Sequence, residues 1–367
     1  MKRNSKLASR NSQLVSAFTL IELLIVIAIL SLLAQLVLPA LNIGRESSRR
    51  ATCTHHLSRI GAAIQAYHES HDELPPAAEW GWDISPFDID GGTTDANWTI
   101  YLLPHLDEQM LSSMYDSTNP ISDPANKEFR ITHLEVMSCP SDAYNRADNL
   151  YFRNFQTGRR ALPQTYARGN YAINGGAHAR CDAPGHPGMP CASGYQVENK
   201  GVKQRGGETY RRWGIGIAGI NKSFSFDEFA NGLSRTVALD EIRAGIHPLD
   251  PRGVWSAGQV GMSITWAHGI HGDAVGPNNC APESDDILGC NILYEIVGID
   301  KLVDEKMGCC DHCHSGNDQA GARSMHPGGV HVLMCDGSVH FTTDEIDQSI
   351  WHVMHSRENS QAFEMPL

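Results

Sequence analysis

The 367 residues, 41% hydrophobic and 19% charged with 34 Gly and 18 Pro, can bury a sizeable core and read as a loop-rich globular chain, neither disordered nor many-spanned. A formal charge of −13 opposes a phosphate backbone, so no nucleic acid is expected as a partner. Residues 1–17 carry Lys2, Arg3, Lys6 and Arg10 and no acid, so a basic leader precedes a body with 25 basic and 42 acidic side chains.

From Phe18 to Leu38 the chain is predominantly apolar, and these 21 residues, as helix at about 1.5 Å each, cover a bilayer core of about 30 Å. A secretory signal has a shorter apolar region and a small-residue cut, whereas Pro39-Ala40-Leu41 prolongs this run, so one retained span is expected. Arg45, Arg49 and Arg50 follow the span and four basic residues precede it, which places the leader inside and the body outside. Glu22 stands out, because an intramembrane carboxylate costs about 2.5 to 3.5 kcal/mol at mid-span and needs a partner. Beyond the span Cys53, Leu57, Ile60, Ile64 and Tyr67 follow a 4-3-4-3 spacing that predicts an amphipathic continuation over 42–72, ended by Leu74-Pro75-Pro76. His55, His56, His68 and His71 lack a His-Glu-x-x-His spacing and read as a solvated polar face, and Cys53 and Cys335 read as core.

Ten cysteines in an exported domain ask for disulfides. Cys181 and Cys191 bracket a Gly/Pro-rich excursion, and Cys280 and Cys290 have the same separation, so both pairs are candidate bridges. Cys309-Cys310-Asp311-His312-Cys313-His314 contains the ligand types of a metal site in Cys310, His312, Cys313 and His314. No second Cys-x-x-Cys completes a four-ligand set, so a bridge is preferred to a metal there; no cofactor is expected, and a divalent metal is the one alternative. Gly214-Ile215-Gly216-Ile217-Ala218-Gly219 fits the dinucleotide-binding string but lacks its strand-turn-helix context. With neither a phosphate-cradling Gly-x4-Gly-Lys loop nor a Gly-x-Ser-x-Gly elbow, no catalytic residue is assigned and no enzyme is expected. Asp336-Gly337 predicts a two-residue hairpin turn between 330–335 and 338–343, with Met334 facing Val339, Val332 facing Phe341 and Val330 facing Thr343. Val330, Val332 and Met334 then face the core, while His331, Leu333, Cys335, Ser338 and His340 lie on a half-exposed side, and His326 before Pro327-Gly328-Gly329 reads as a turn cap.

Ala17-Phe18-Thr19-Leu20-Ile21-Glu22 resembles the processing and methylation site of type IV prepilins and type II secretion pseudopilins. That resemblance implies a prepilin peptidase cut between Ala17 and Phe18, with Ala17 in place of the usual Gly. It also implies methylation of Phe18, a pairing of Glu22 with a neighbouring subunit's terminal amine, and a helix-kinking role for Pro39. Trp98 to Pro104, Ser138-Cys139-Pro140-Ser141-Asp142, Asn170 to Gly176, and His326 with Asp336-Gly337 nine residues further on resemble a second, overlapping group. It is domain-of-unknown-function family 1559, abundant in planctomycetes, which joins a prepilin-type amino terminus to a domain ending in His-x9-Asp-Gly. Where that family has Asp-Gly-Thr-Ser-Asn-Thr, this chain has Asn231-Gly232-Leu233-Ser234-Arg235-Thr236.

The expected fold is α+β and pilin-like, a long amino-terminal helix packed on a mainly antiparallel β-rich head with long loops. The divisions are a leader at 1–17, an assembly and transmembrane helix at 18–41, its amphipathic continuation at 42–72 and an extracytoplasmic head at 73–367. The expected protein is a single-pass inner-membrane structural subunit of a type II secretion or type IV pilus-like assembly, with its leader cytoplasmic and its head periplasmic or extracellular. Its partners are then prepilin peptidase, pilin-like subunits and membrane lipid. An anchored binding protein with the helix as a stalk, and a metal-dependent envelope enzyme, are the competing readings.

Overall fold

The computed structural model describes residues 20–80, 94–153, 164–176, 196–199, 210–266, 276–287, 289–311 and 319–358. The chain divides into two units, Met1–Ser48 and Arg49–Leu367. Helix α1 (Leu20–His71) belongs to both and continues through Pro39. In the first unit its large apolar side chains are exposed from Leu20 to Leu33 and from Val37 to Ile43, and the helix is long and apolar enough to cross a membrane, with a mean hydropathy of 2.7 over its best window. In the second unit Cys53, Leu57, Ile60, Ile64 and Tyr67 are all buried, so the spaced stripe is the face of α1 that enters the head's core. His56 departs from the polar-face reading. It is buried, its Nδ1–H donates to the Ser138 carbonyl at 2.9 Å, and burial lowers its pKa. Asp72 ends the helix at φ 59°, its N–H donating to the His68 carbonyl at 2.8 Å.

After α1, β1 (Ala78–Trp80) pairs with β2 (Thr94–Asn97), and Asn97 caps α2 (Trp98–Leu102) by accepting from the Ile100 N–H. Short helices α3 (Gln109–Ser113) and α4 (Lys127–Arg130) lead to the pair β3 (Tyr151–Arg153) and β4 (Gln164–Tyr166). Strand β5 (Tyr171–Asn174) is followed by the pair β6 (Gln196–Asn199) and β7 (Tyr210–Trp213). Then come β8 (Val237–Glu241), β9 (Ile264–Thr265), α5 (Cys290–Ile296), α6 (Ile299–Asp304), β10 (Gly329–Met334), β11 (Val339–Thr343) and α7 (Gln348–Met354).

The main sheet has the order β11-β10-β8-β5-β9, antiparallel at every pairing but β5 with β9. On one face Leu333 and Cys335 join the core that holds the α1 stripe, Trp98, Trp255 and Trp266. Val330, Val332 and Met334 of the same strand pack on the opposite face with Trp351 and Met354 of α7. Helix α1 approaches the sheet so closely that a Cβ on Gly61 would stand 2.9 Å from Leu333 Cδ1. The fold is therefore α+β, with a long amino-terminal helix and a mainly antiparallel head.

The hairpin forms where expected, but in a register one residue away. His331 faces Phe341, Val332 faces His340 and Leu333 faces Val339. The connection is a Cys335-Asp336-Gly337 loop: Gly337 N–H donates to Met334 O at 3.0 Å, and Gly337 alone of the three takes a positive φ, 90°. This is a type I turn closed by a left-handed glycine, whose extra residue shifts the pairing by one. The half-exposed side holds for Ser338 and His340, which are half-buried, and is corrected for His331, Leu333 and Cys335, which are buried because β10 lies between β11 and β8 and is covered on both faces. The segment Gly214 to Gly219 is a loop with no helix after it. Gly216 is needed there because a Cβ would stand 2.2 Å from the Gly175 carbonyl carbon.

Candidate functional site

The residues expected to carry function separate into two groups. Glu22 lies in the first turn of α1, in the exposed apolar half. Ala17, Phe18, Cys181, Cys191, His312, Cys313 and His314 lie outside the described residues. Cys310 is disulfide-bonded. Cys290 is bridged as well, but to Cys309 rather than Cys280, with the Cα atoms 5.9 Å apart. Cys280 is a free, exposed thiol, so the Cys280–Cys290 pairing is corrected. The reason is placement: Cys290 opens α5 and is buried with Leu293, Leu302, Met307 and Cys309, whereas Cys280 lies on the surface outside that small core.

The His326/Asp336-Gly337 motif is split between the two ends of β10. Asp336 serves the turn, its Oδ1 accepting from the Ser338 N–H at 2.9 Å and the Ser338 hydroxyl at 2.6 Å. His326, expected to cap a turn, is buried instead. Its Nε2 lies 3.3 Å from Cys139 Sγ and 3.2 Å from Glu241 Oε1. Cys53, read as a plain core residue, places its Sγ 2.6 Å from that of Cys139. One ligand atom each from Cys53, Cys139, Glu241 and His326 therefore gathers in a space where all lie within 4.8 Å of one another, and all four residues are buried.

Each member is held by structure the sequence encodes elsewhere. Cys53 comes from the buried stripe of α1. Cys139 is fixed by Asn170, whose Oδ1 accepts from the Cys139 N–H at 2.9 Å while its Nδ2 donates to Asp142 Oδ2 at 2.7 Å. The Ser-Cys-Pro-Ser-Asp and Asn-Tyr-Ala-Ile-Asn segments thus make one unit. Glu241 ends β8 opposite Tyr171 of β5. Its Oε2 accepts from the His331 backbone N–H at 2.7 Å and lies 3.2 Å from His331 Nδ1.

Electrostatics follow from that packing. Burial pushes the Glu241 carboxyl up, but hydrogen bonds and charge from His326 and His331 outweigh it and hold it at about 2. Burial pushes His326 down, and its contacts with Cys139 and Glu241 overcome this and raise it to about 11. The Cys139 thiol is driven up by the Cys53 contact and by burial. Without a ligand the cluster is a Glu241–imidazolium pair beside two thiols, and its donor set of two sulfurs, one nitrogen and one oxygen is also one that can hold a transition metal.

Glu241 is not singled out by the sequence, His331 enters there only as a hairpin residue, and Cys139 only within a motif. Their signals were faint: a carboxylate pair closing the buried run Val237-Ala238-Leu239-Asp240-Glu241, and a Cys in a Pro-Ser-Asp turn. Their partners lie 85 and 187 residues away, beyond any periodicity.

No curated protein and no solved structure matches the chain. A family model described as "Protein of unknown function (DUF1559)" matches residues 43–349, which hold the whole Cys53–Cys139–Glu241–His326 cluster. The match covers most of the chain, and the protein belongs to the DUF1559 family.

Proposed function

We propose that this protein is a membrane-anchored, pilin-like structural subunit whose leader is removed between Ala17 and Phe18 and whose exported head is carried on α1. The observation that supports this reading most is α1 itself. One unbroken helix is apolar and exposed from Leu20 to Leu33 and from Val37 to Ile43 with Glu22 in its first turn, then buries a regular stripe from Cys53 to Tyr67. A stalk alone has no use for a carboxylate in the lipid-facing half, whereas a subunit that packs beside others there gives Glu22 a cationic partner, the amine freed by cleavage at Phe18. Membership of a family without assigned chemistry is compatible with a structural role.

The test is amino-terminal mass spectrometry of the protein from native membranes, coupled with Glu22→Ala. The reading expects a chain that begins at methylated Phe18, and a variant that is processed normally but absent from higher assemblies in cross-linked membranes. A chain that retains Met1, or a variant that assembles like the parent, overturns it.

A further inference from the structure

The buried cluster has a geometry that ordinary core packing does not explain. Tetrahedral coordination at metal–ligand distances of about 2.0 to 2.3 Å sets neighbouring donor atoms about 3.3 to 3.8 Å apart. His326 Nε2 stands 3.3 Å from Cys139 Sγ and 3.2 Å from Glu241 Oε1, so one nitrogen already faces a sulfur and an oxygen at that spacing. The two sulfurs, 2.6 Å apart, are wider than a bonded pair at about 2.05 Å and much closer than thiols in simple contact.

The carboxylate adds an independent observation. Glu241 is 1% exposed; its Oε2 is occupied by the His331 backbone N–H, while Oε1 faces His326 Nε2 at 3.2 Å and takes no further hydrogen bond. A buried carboxylate oxygen whose polar partner is one imidazole nitrogen, set beside two sulfurs, keeps a lone pair for a monodentate ligand bond. The surroundings match an outer shell as well: His331 orients Glu241, Asn170 fixes the backbone of Cys139, and Tyr171 packs against Cys53.

We propose that Cys53, Cys139, Glu241 and His326 form a closed, four-coordinate site for a divalent ion of the zinc class. The mixed sulfur, imidazole and carboxylate set suits a borderline-soft ion and is unsuited to calcium or magnesium, which take oxygen ligands. All four positions come from buried side chains, which leaves no open coordination place and makes the site structural rather than catalytic. Binding takes Cys53 and Cys139 as thiolates and His326 as the neutral imidazole, ligating through Nε2. The ion then joins four segments: the buried half of α1, the turn at Cys139, the end of β8 and the loop before β10. The inference is independent of processing and assembly, because every ligand lies in the Arg49–Leu367 unit.

The test uses the full chain purified in detergent without chelator and without a polyhistidine tag. Elemental analysis is expected to find stoichiometric zinc, and cobalt exchanged into the parent is expected to give the absorption of tetrahedral thiolate coordination. Glu241→Gln and Cys139→Ser should lose the metal or bind it far more weakly, while Cys280→Ser at the exposed thiol keeps it. The cobalt spectrum of the parent needs no variant to fold. Metal-free protein whose peptides from a non-reducing digest contain Cys53 linked to Cys139 overturns the proposal in favour of a disulfide. Metal that persists unchanged in both ligand variants overturns it in favour of another site.

Discussion

Asp285→Asn probes the charge network that closes the carboxy-terminal part of the head. The Asp285 carboxylate is 1% exposed and lies between two guanidiniums: Oδ2 accepts from Arg252 Nη1 at 2.9 Å and Oδ1 from Arg323 Nη2 at 2.6 Å. Asp250 serves Arg252 from the other side at 2.9 Å, so Arg252 keeps a counter-ion in the variant. Among the described residues Asp285 is the acid paired with Arg323. Asparagine removes the charge and turns an NH2 donor toward a guanidinium donor, leaving Arg323 buried without its anion. Removing one partner of such a pair costs about 3–5 kcal/mol. For a unit of 319 residues, an unfolding entropy of about 2.1 cal/mol/K per residue converts this to a fall of about 5–7 °C in melting temperature. The acid dependence has a definite sign. Burial pushes the carboxyls of Asp250 and Asp285 up, but the guanidiniums outweigh it and hold both below the ordinary carboxylate value of about 3.9. Their contribution is therefore complete well above that value and is lost as pH falls below it through the folded-state pKa. Thermal unfolding followed by circular dichroism at neutral pH and at a series of acidic values should show two things: the variant melts lower at neutral pH, and it loses less than the parent on acidification. An unchanged melting temperature at neutral pH refutes the reasoning.

Peptide mapping of the oxidised protein should recover Cys290 linked to Cys309 and label Cys280 in the native state; a Cys280–Cys290 peptide would contradict the fold of α5. Breaking the Cys290–Cys309 bridge, which spans a sequence separation of 19, should lower stability by about 3 kcal/mol, read from the urea midpoint. Gly216→Ala forces a Cβ to within 2.3 Å of the Gly176 backbone nitrogen, and overpacking of that kind costs about 1–3 kcal/mol. Its urea midpoint should drop, whereas Gly44→Ala, inside α1 and with open space around its Cβ, should not lower it.

What could be read from the chain beforehand was local. The 4-3-4-3 stripe on α1 and the apolar run before it depend only on helical period and length, and the structure places the stripe in the core and leaves the run exposed. The hairpin was visible for the same reason, but its register was not. Asp336-Gly337 suits a two-residue turn with both φ angles positive, and it equally suits the end of a three-residue turn in which Gly337 alone is left-handed; packing chooses the second. Alternation along β10 revealed the face built from Val330, Val332 and Met334. It could not reveal that His331, Leu333 and Cys335 are covered too, because α1 is more than 250 residues away in sequence. Buried charges were hidden altogether. Asp240, Glu241 and Asp285 look like solvated acids until the fold brings His355, His326 and Arg323 to them.

The spacing of the His-x9-Asp-Gly motif now has a geometric cause. His326 is followed by Pro327 and by Gly328 at φ 82°, which turn the chain into the six residues of β10; Cys335 and Asp336 then open the hairpin turn that Gly337 closes. At about 3.3 Å per residue those six residues separate the two ends of the motif by about 20 Å, too far for His326 and Asp336 to act on one substrate atom. The number nine therefore measures a strand with its two turns, and the motif's ends do different work. One end registers the edge strand β11 through the turn, and the other delivers an imidazole to Cys53, Cys139 and Glu241. A strand shorter by one residue would turn every β10 side chain to the opposite face and withdraw His331 from Glu241. The length of β10, the register of its neighbours and the buried cluster are thus one constraint, and chemistry in this head has to be sought where His326 ends rather than between the two halves of its motif.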